Sequence, residues 1–142
     1  VSEVLLTEAL FVAAPSDHPL ATRPAIAVAE LEHHPLVLFP TGLRPSFIDR
    51  ARELCSAAGF SPNVVAEVAD VVHGIALVAS GGGFCFVPRS ATNLHVPGVT
   101  YLALDEHPRP TVDLCCVYRD DDRSPLLATL LASMRATAPT LG

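Results

Sequence analysis

The stretch "ALVASGGGFCFVPRS", residues 76–90, decides how the rest of the chain is read. Three consecutive glycines, Gly81, Gly82 and Gly83, between two apolar runs suit either a phosphate-cradling loop or the end of a helix. A phosphate loop runs in the order strand, glycines, helix, so that backbone N–H groups at the helix N-terminus face the anion. Here the order is reversed. Asp70 is placed to cap a helix over residues 71–80 that is apolar on every side and so expected to be buried. Gly81 then falls just past its end, where a left-handed residue is usual. Gly82 and Gly83 complete a tight turn into a strand at 84–87. No Lys-Ser or Lys-Thr pair follows, and Phe84, Cys85 and Phe86 stand where a GxGxxG fingerprint would continue. The triplet reads as structural.

Working outward, residues 63–67 read as a strand. Before them Ser46 is placed to cap a helix whose apolar positions, Phe47, Ile48, Ala51, Leu54, Cys55 and Ala58, follow the 3.6 period. Gly59 closes that helix and Pro62 lies beyond it. Further upstream come a strand at 8–14 ended by Pro15, the loop "SDHPLATRP", a short helix at 27–31 after Pro24, and a strand "LVLF" at 36–39. Downstream, 99–104 and 111–119 read as strands separated by a loop holding Pro108 and Pro110. A last helix opens with Ser124 as cap and Pro125 in its first turn, and Leu126, Leu127, Leu130, Leu131 and Met134 form one apolar stripe. Alternating strands and helices predict an α/β sheet covered on both faces.

With 142 residues, 50% of them hydrophobic, the chain suits one globular domain. Nine Lys and Arg stand against fifteen Asp and Glu, a net charge of −6, with the basic residues scattered singly. That balance argues against phosphate neutralisation, and so against DNA binding by this segment. Cys55, Cys85, Cys115 and Cys116 form no CxxC and are expected to be buried, reduced thiols. No apolar run is long enough to span a membrane and no secretory signal is visible, which makes the cytoplasm the default. The chain enters a strand-like run at once, without an initiator Met, and is expected to be a fragment.

Catalytic and metal chemistry find little support. His18, His33, His34, His73, His95 and His107 contain no i, i+4 pair with a Glu between, and neither a cofactor nor a metal is expected. His33 and His34 are expected at a helix end with solvent around the rings. There is no GxSxG, and Ser46, Ser80, Ser90 and Ser124 are explained as caps or turn residues. "RDDDR", 119–123, precedes a helix N-terminus, where carboxylates are favourable, and reads as a solvated run. The more suggestive stretch is "FPTGLRPS": Gly42 permits close backbone approach, while Thr41, Arg44 and Ser46 offer donors beside a helix N-terminus. Ligands of open α/β sheets bind beyond the carboxyl ends of strands. The candidate binding residues on that rule are Phe39, Thr41, Gly42, Arg44, Ser46, Glu67, Val71 and Pro88, and the ligand that fits them is a small anionic organic molecule. The plain alternative is an ordinary strand-to-helix loop with Arg44 in solvent.

Taken in order, "LLTEALFVAAPSDHPLA", "HPLVLF", "IDRARELCSAAGFSPNVVAEV", "GIALVASGGGFCFVP", "GVTYLAL" and "LCCVYRDDDRSPLLATLLASMR" resemble the effector-binding domain of LysR-type transcriptional regulators over nearly the whole chain. The resemblance implies a type II periplasmic-binding-protein-like α/β fold: two lobes joined by crossing strands, with a small effector in the cleft. It implies one complete three-layer lobe at 12–111. Residues 1–11 and 112–142 would be part of the other lobe with the hinge strands, and the DNA-binding winged helix-turn-helix would lie outside this chain. The function implied is effector sensing by a bacterial transcription regulator rather than catalysis. The helix from Ser46, with Arg50, Arg52 and Glu53 on its polar side, would contribute to a homo-oligomer. The alternative is an enzyme or a solute-binding protein on the same two-lobed architecture.

Overall fold

Two hydrophobic patterns meet in one strand. In the computed structural model, which describes residues 1–39 and 47–140, β1 runs over Ser2–Pro15, well beyond the expected 8–14. Its first half, SEVLLTEA, mostly alternates between more and less exposed positions, whereas Leu10, Val12, Ala13 and Ala14 are buried. Alternation marks a ribbon covered on one face and continuity marks a strand inside a sheet. Only the second pattern was legible as a strand.

The pairing follows that division. Residues 2–9 pair antiparallel with β7 (Thr111–Val117), from Ser2 opposite Val117 to Ala9 opposite Thr111. From Leu10 onward β1 lies between β5 (Phe84–Pro88) and β6 (Val99–Leu104) and runs antiparallel to both. With β2 (Ala25–Ile26), β3 (Pro35–Leu38) and β4 (Asn63–Glu67), the described residues form a seven-stranded sheet in the order β2-β6-β1-β5-β3-β4, β7 pairing with β1 off this path. β3 is parallel to β4 and β5, and β2 to β6. The carboxyl ends of β2 through β6 therefore share one edge, and β1 enters the sheet at that edge from its ribbon with β7.

Because side chains alternate across a strand, the buried residues divide between two faces. Val12, Ala14, Leu36, Leu38, Phe84, Phe86 and Leu102 pack on one side with Ala51 and Cys55 of α1 (Phe47–Ala57). Ala13, Val37, Cys85 and Val87 pack on the other with Ile75 and Val78 of α2 (Val71–Ala79). The result is helix, sheet, helix. Burying side chains such as Phe84 and Phe86 stabilises this arrangement by roughly 1.5–3 kcal/mol each. The same apolar surroundings push the thiols of Cys55 and Cys85 up to about 11 and about 12. Cys115, by contrast, is exposed on β7 and Cys116 is half-exposed, so the expectation of buried thiols holds for Cys55 and Cys85 and not for this pair.

Helix ends follow the local signals. Oδ1 of Asp70 accepts the backbone N–H of His73 at 3.0 Å. At the other end of α2, Gly81 has φ +81°, and the N–H groups of Gly81 and Gly82 return to the carbonyls of Val78 and Leu77 at 2.9 Å each. This is the paired closure of a Schellman motif. Gly59 and Phe60 close α1 in the same way, onto Ser56 and Cys55.

Three readings need correction. The expected helix at 27–31 is a single 3-10 turn, Val28–Leu31, following β2, because Pro35 leaves no room for a second turn before β3. α2 is buried only along Gly74, Ile75 and Val78, while Val72 is 62% exposed, because a helix resting on a sheet offers it one face only. In α3 (Pro125–Thr137) the leucine stripe is not a buried seam: Leu131 is buried, but Leu126 and Leu130 are exposed. α3 is held to β1 by Arg135, whose Nε and Nη2 donate to the Glu3 carboxylate at 2.6 and 2.7 Å. Ser124 caps it as expected, accepting the N–H of Leu127 at 3.2 Å.

Candidate functional site

The sheet's carboxyl edge is where parallel strands hand over to helices, and four of the sequence-predicted residues stand on it. Leu38 pairs with Glu67, and Leu10 with Pro88, so the exits of β3, β4 and β5 lie side by side with the entry of β1. Phe39 follows β3 directly. Its ring meets that of Phe47, the first residue of α1, edge to face with centroids 5.2 Å apart. Val71 opens α2 and packs against the second core cluster. Glu67 is exposed and Pro88 half-buried. Thr41, Gly42, Arg44 and Ser46 lie outside the described residues.

Two of the turns on this edge already hold a carboxylate of the chain's own. At the start of α2, Asp70 accepts from the His73 backbone, and both its oxygens lie 2.9 Å from Nδ1 of the His73 ring. These contacts, the backbone N–H first, hold the Asp70 carboxyl below its ordinary range. After β5, the 3-10 turn Arg89–Asn93 offers its Ser90 N–H to Oε2 of Glu8 at 2.7 Å. Glu8 is buried, and with Thr7, Ala9, Arg89, Ser90, Thr92 and Asn93 it lines a cleft of about 230 Å³. Arg89 makes no ion pair among the described residues and leaves a free guanidinium beside that cleft.

Sequence reasoning missed this second part of the edge. A carboxylate set between LLT and ALFVAAP, on a strand entering an apolar core, was the available signal. Its partner, 82 positions away, was not available. Arg50, expected on the outward polar side of its helix, is turned toward the start of β7: Nε donates to the Thr111 carbonyl at 3.2 Å and Nη1 faces Glu53 at 3.4 Å. "RDDDR" is exposed, with Arg119 paired to Asp121 and Asp122 accepting the Ser124 N–H. Among the described residues no three His, Cys, Asp or Glu side chains come together as metal ligands, and no helix is long and apolar enough to cross a membrane.

The LysR substrate binding domain family model matches residues 1–139. The HTH-type transcriptional regulator AlsR of Bacillus subtilis (strain 168) is 32% identical over 115 residues, which are 81% of this chain and 38% of that protein. The HTH-type transcriptional regulator TfdS of Cupriavidus pinatubonensis (strain JMP 134 / LMG 1197) is 35% identical over 129 residues, 91% of this chain and 43% of that one. The crystal structure of CbnR, a LysR family transcriptional regulator, is similar with a TM-score of 0.83 and 27% identity, over 97% of this chain and 47% of that chain. The chain spans less than half the length of each.

Proposed function

The chain belongs to the LysR substrate-binding domain family, and from that premise we propose that it senses a small anionic organic effector for a bacterial transcription regulator and takes no part in catalysis. Its fold is the type II periplasmic-binding-protein-like fold of LysR effector-binding domains. We assign residues 12–111 to one complete lobe. Residues 1–11 and 112–142 are assigned to hinge strands and part of a second lobe, completed by a segment of the regulator outside this chain. The regulator works in the cytoplasm, meets DNA through a winged helix-turn-helix elsewhere in its chain, and assembles as a homo-oligomer with α1 at a contact. Effector binding closes one lobe on the other and so alters how the assembly sits on DNA.

The observation that carries this reading is the sheet edge itself: the exits of β3, β4 and β5 converge where β1 changes partners. The site comprises Phe39, Thr41, Gly42, Arg44, Ser46, Glu67, Val71 and Pro88. We assign the effector's anionic group to the stretch between β3 and α1, with Arg44 as its counter-charge; Asp70 and Glu8 already take amides at the starts of α2 and of Arg89–Asn93, and Arg89 stands as a second cation on this edge. Thermal melting of the intact regulator against small carboxylates and their neutral amides tests this. A carboxylate is expected to raise the midpoint and its amide to leave it unchanged, with Arg44→Ala weakening the carboxylate about tenfold or more. Stabilisation by neutral or cationic compounds alone would overturn it.

A further inference from the structure

We propose that Glu8 is a positioning residue of the effector response, holding the turn after β5 to β1 at the point where β1 exchanges one partner for another. Among the described residues it is the one charged side chain that is buried, at 9% exposure. The bond its Oε2 accepts from the Ser90 N–H measures 2.7 Å and joins residues 82 positions apart. Next to it, Ala9 makes the last pair with β7, opposite Thr111, and Leu10 the first with β5, opposite Pro88. On the other side, the Thr7 hydroxyl donates to Asp113 of β7 at 2.6 Å. Successive residues of one strand are thus tied to β7, to Arg89–Asn93 and to β5.

Mechanical consequences follow from that order. A hydrogen bond to an ionised acceptor is stronger than a neutral one, and breaking this part-buried bond leaves the Ser90 amide to the water of the cleft in place of a carboxylate. A displacement of the β1–β7 ribbon about the Ala9–Leu10 point therefore carries Ser90 with it rather than sliding past. Arg89, Thr92 and Asn93 share the cleft wall with Thr7 and Ala9, so movement of the ribbon reshapes the cleft, and a change in the cleft moves the ribbon. The effector-sensing reading supplies the purpose of this movement; the link stands on the contacts alone.

Amide hydrogen exchange of the intact regulator tests it without any ligand. Asp113→Ala cuts the Thr7 bond and loosens the ribbon. With Glu8 present, it is expected to speed exchange at Arg89–Asn93 about tenfold while β5 stays unchanged, and Glu8→Gln, whose amide oxygen still accepts, is expected to behave alike. In Glu8→Leu those amides already exchange fast, and Asp113→Ala is expected to add at most about twofold. Glu8→Asp, too short to reach Ser90, is expected to match Glu8→Leu and replaces it should the leucine variant not fold. Equal responses to Asp113→Ala in all backgrounds, or a protected Ser90 amide in Glu8→Leu and Glu8→Asp, would overturn the proposal. With Glu8 present, no effect of Asp113→Ala on Arg89–Asn93 while carboxylate binding stays intact rejects the Glu8 proposal alone; the expected pattern of exchange without any carboxylate response rejects the sensing function instead.

Discussion

The three glycines at the end of α2 have three different reasons to be glycine. Gly81 adopts φ +81° with open space where a Cβ would point, so its constraint is conformational alone. Gly82 would place a Cβ 2.9 Å from the Leu77 carbonyl oxygen. Gly83 combines φ +130° with a Cβ position 2.4 Å from the Pro35 backbone oxygen, because β5 starts hard against the start of β3. Alanine at 81 is expected to cost about 1 kcal/mol. Alanine at 83 is expected to cost clearly more, because the backbone of β3 must move as well as the dihedral strain. Urea unfolding of the single variants checks the order, and equal losses at the two positions would refute it. The triplet is no anion cradle, since the Gly81 and Gly82 amides are spent on Val78 and Leu77.

Between elements, a small aromatic seam joins the turn before β3 to the start of β5. His34 was expected in solvent at a helix end. Instead its ring lies 5.0 Å from Phe84 and 4.8 Å from His18, whose Nδ1 accepts the Leu20 N–H at 3.2 Å. Burial, and then the neighbouring charges of His18 and His33, hold the His34 imidazolium below its ordinary range. A histidine whose folded pKa is depressed favours the neutral ring in the native state. Its contribution to stability is whole above the unfolded value, about 6.5, and is lost as pH falls through that value toward the lowered folded one. Melting midpoints are therefore expected to drop between neutral pH and the mildly acid range, and His34→Gln to flatten that drop. An unchanged pH profile in His34→Gln would assign the acid sensitivity to other groups.

For the whole molecule, most of the large apolar side chains exposed among the described residues lie on β1, β7 and α3. Val4, Leu114 and Val117 on the β1–β7 ribbon and Leu126 and Leu130 on α3 are all exposed, Leu126 at 79%. Val65 on β4 and Val72 on α2 are exposed as well, but singly, whereas grouped apolar surface marks a place of association. Under the lobe assignment, these side chains belong to the second lobe and are covered by the segment that completes it. Leu126→Cys in a Cys115→Ser, Cys116→Ser background is expected to react with a maleimide about tenfold faster in the isolated chain than in the intact regulator. Equal rates would show that the outer face of α3 stays open and that the assignment of 112–142 is wrong.

Signals that act within a few residues were legible from the amino acids. The capping aspartate before α2, Ser124 before α3, the glycines after α1 and α2, and the strands 63–67 and 99–104 all stand where local hydrogen bonding and hydrophobic period put them. The sheet edge bearing Phe39, Glu67, Val71 and Pro88 was legible too, because strand and helix order alone says where parallel strands end. Only the tertiary structure decided the rest. β1 continues through an alternating half because β7, more than a hundred positions away, lies beside it. Glu8 is buried because Ser90 turns its amide toward it, and Arg50 reaches along the surface to β7 because a carbonyl there is within reach. His34 packs on Phe84 because β5 begins beneath it. Each of these depends on which distant residue the fold brings close, and neither residue type nor spacing along the chain carries that information.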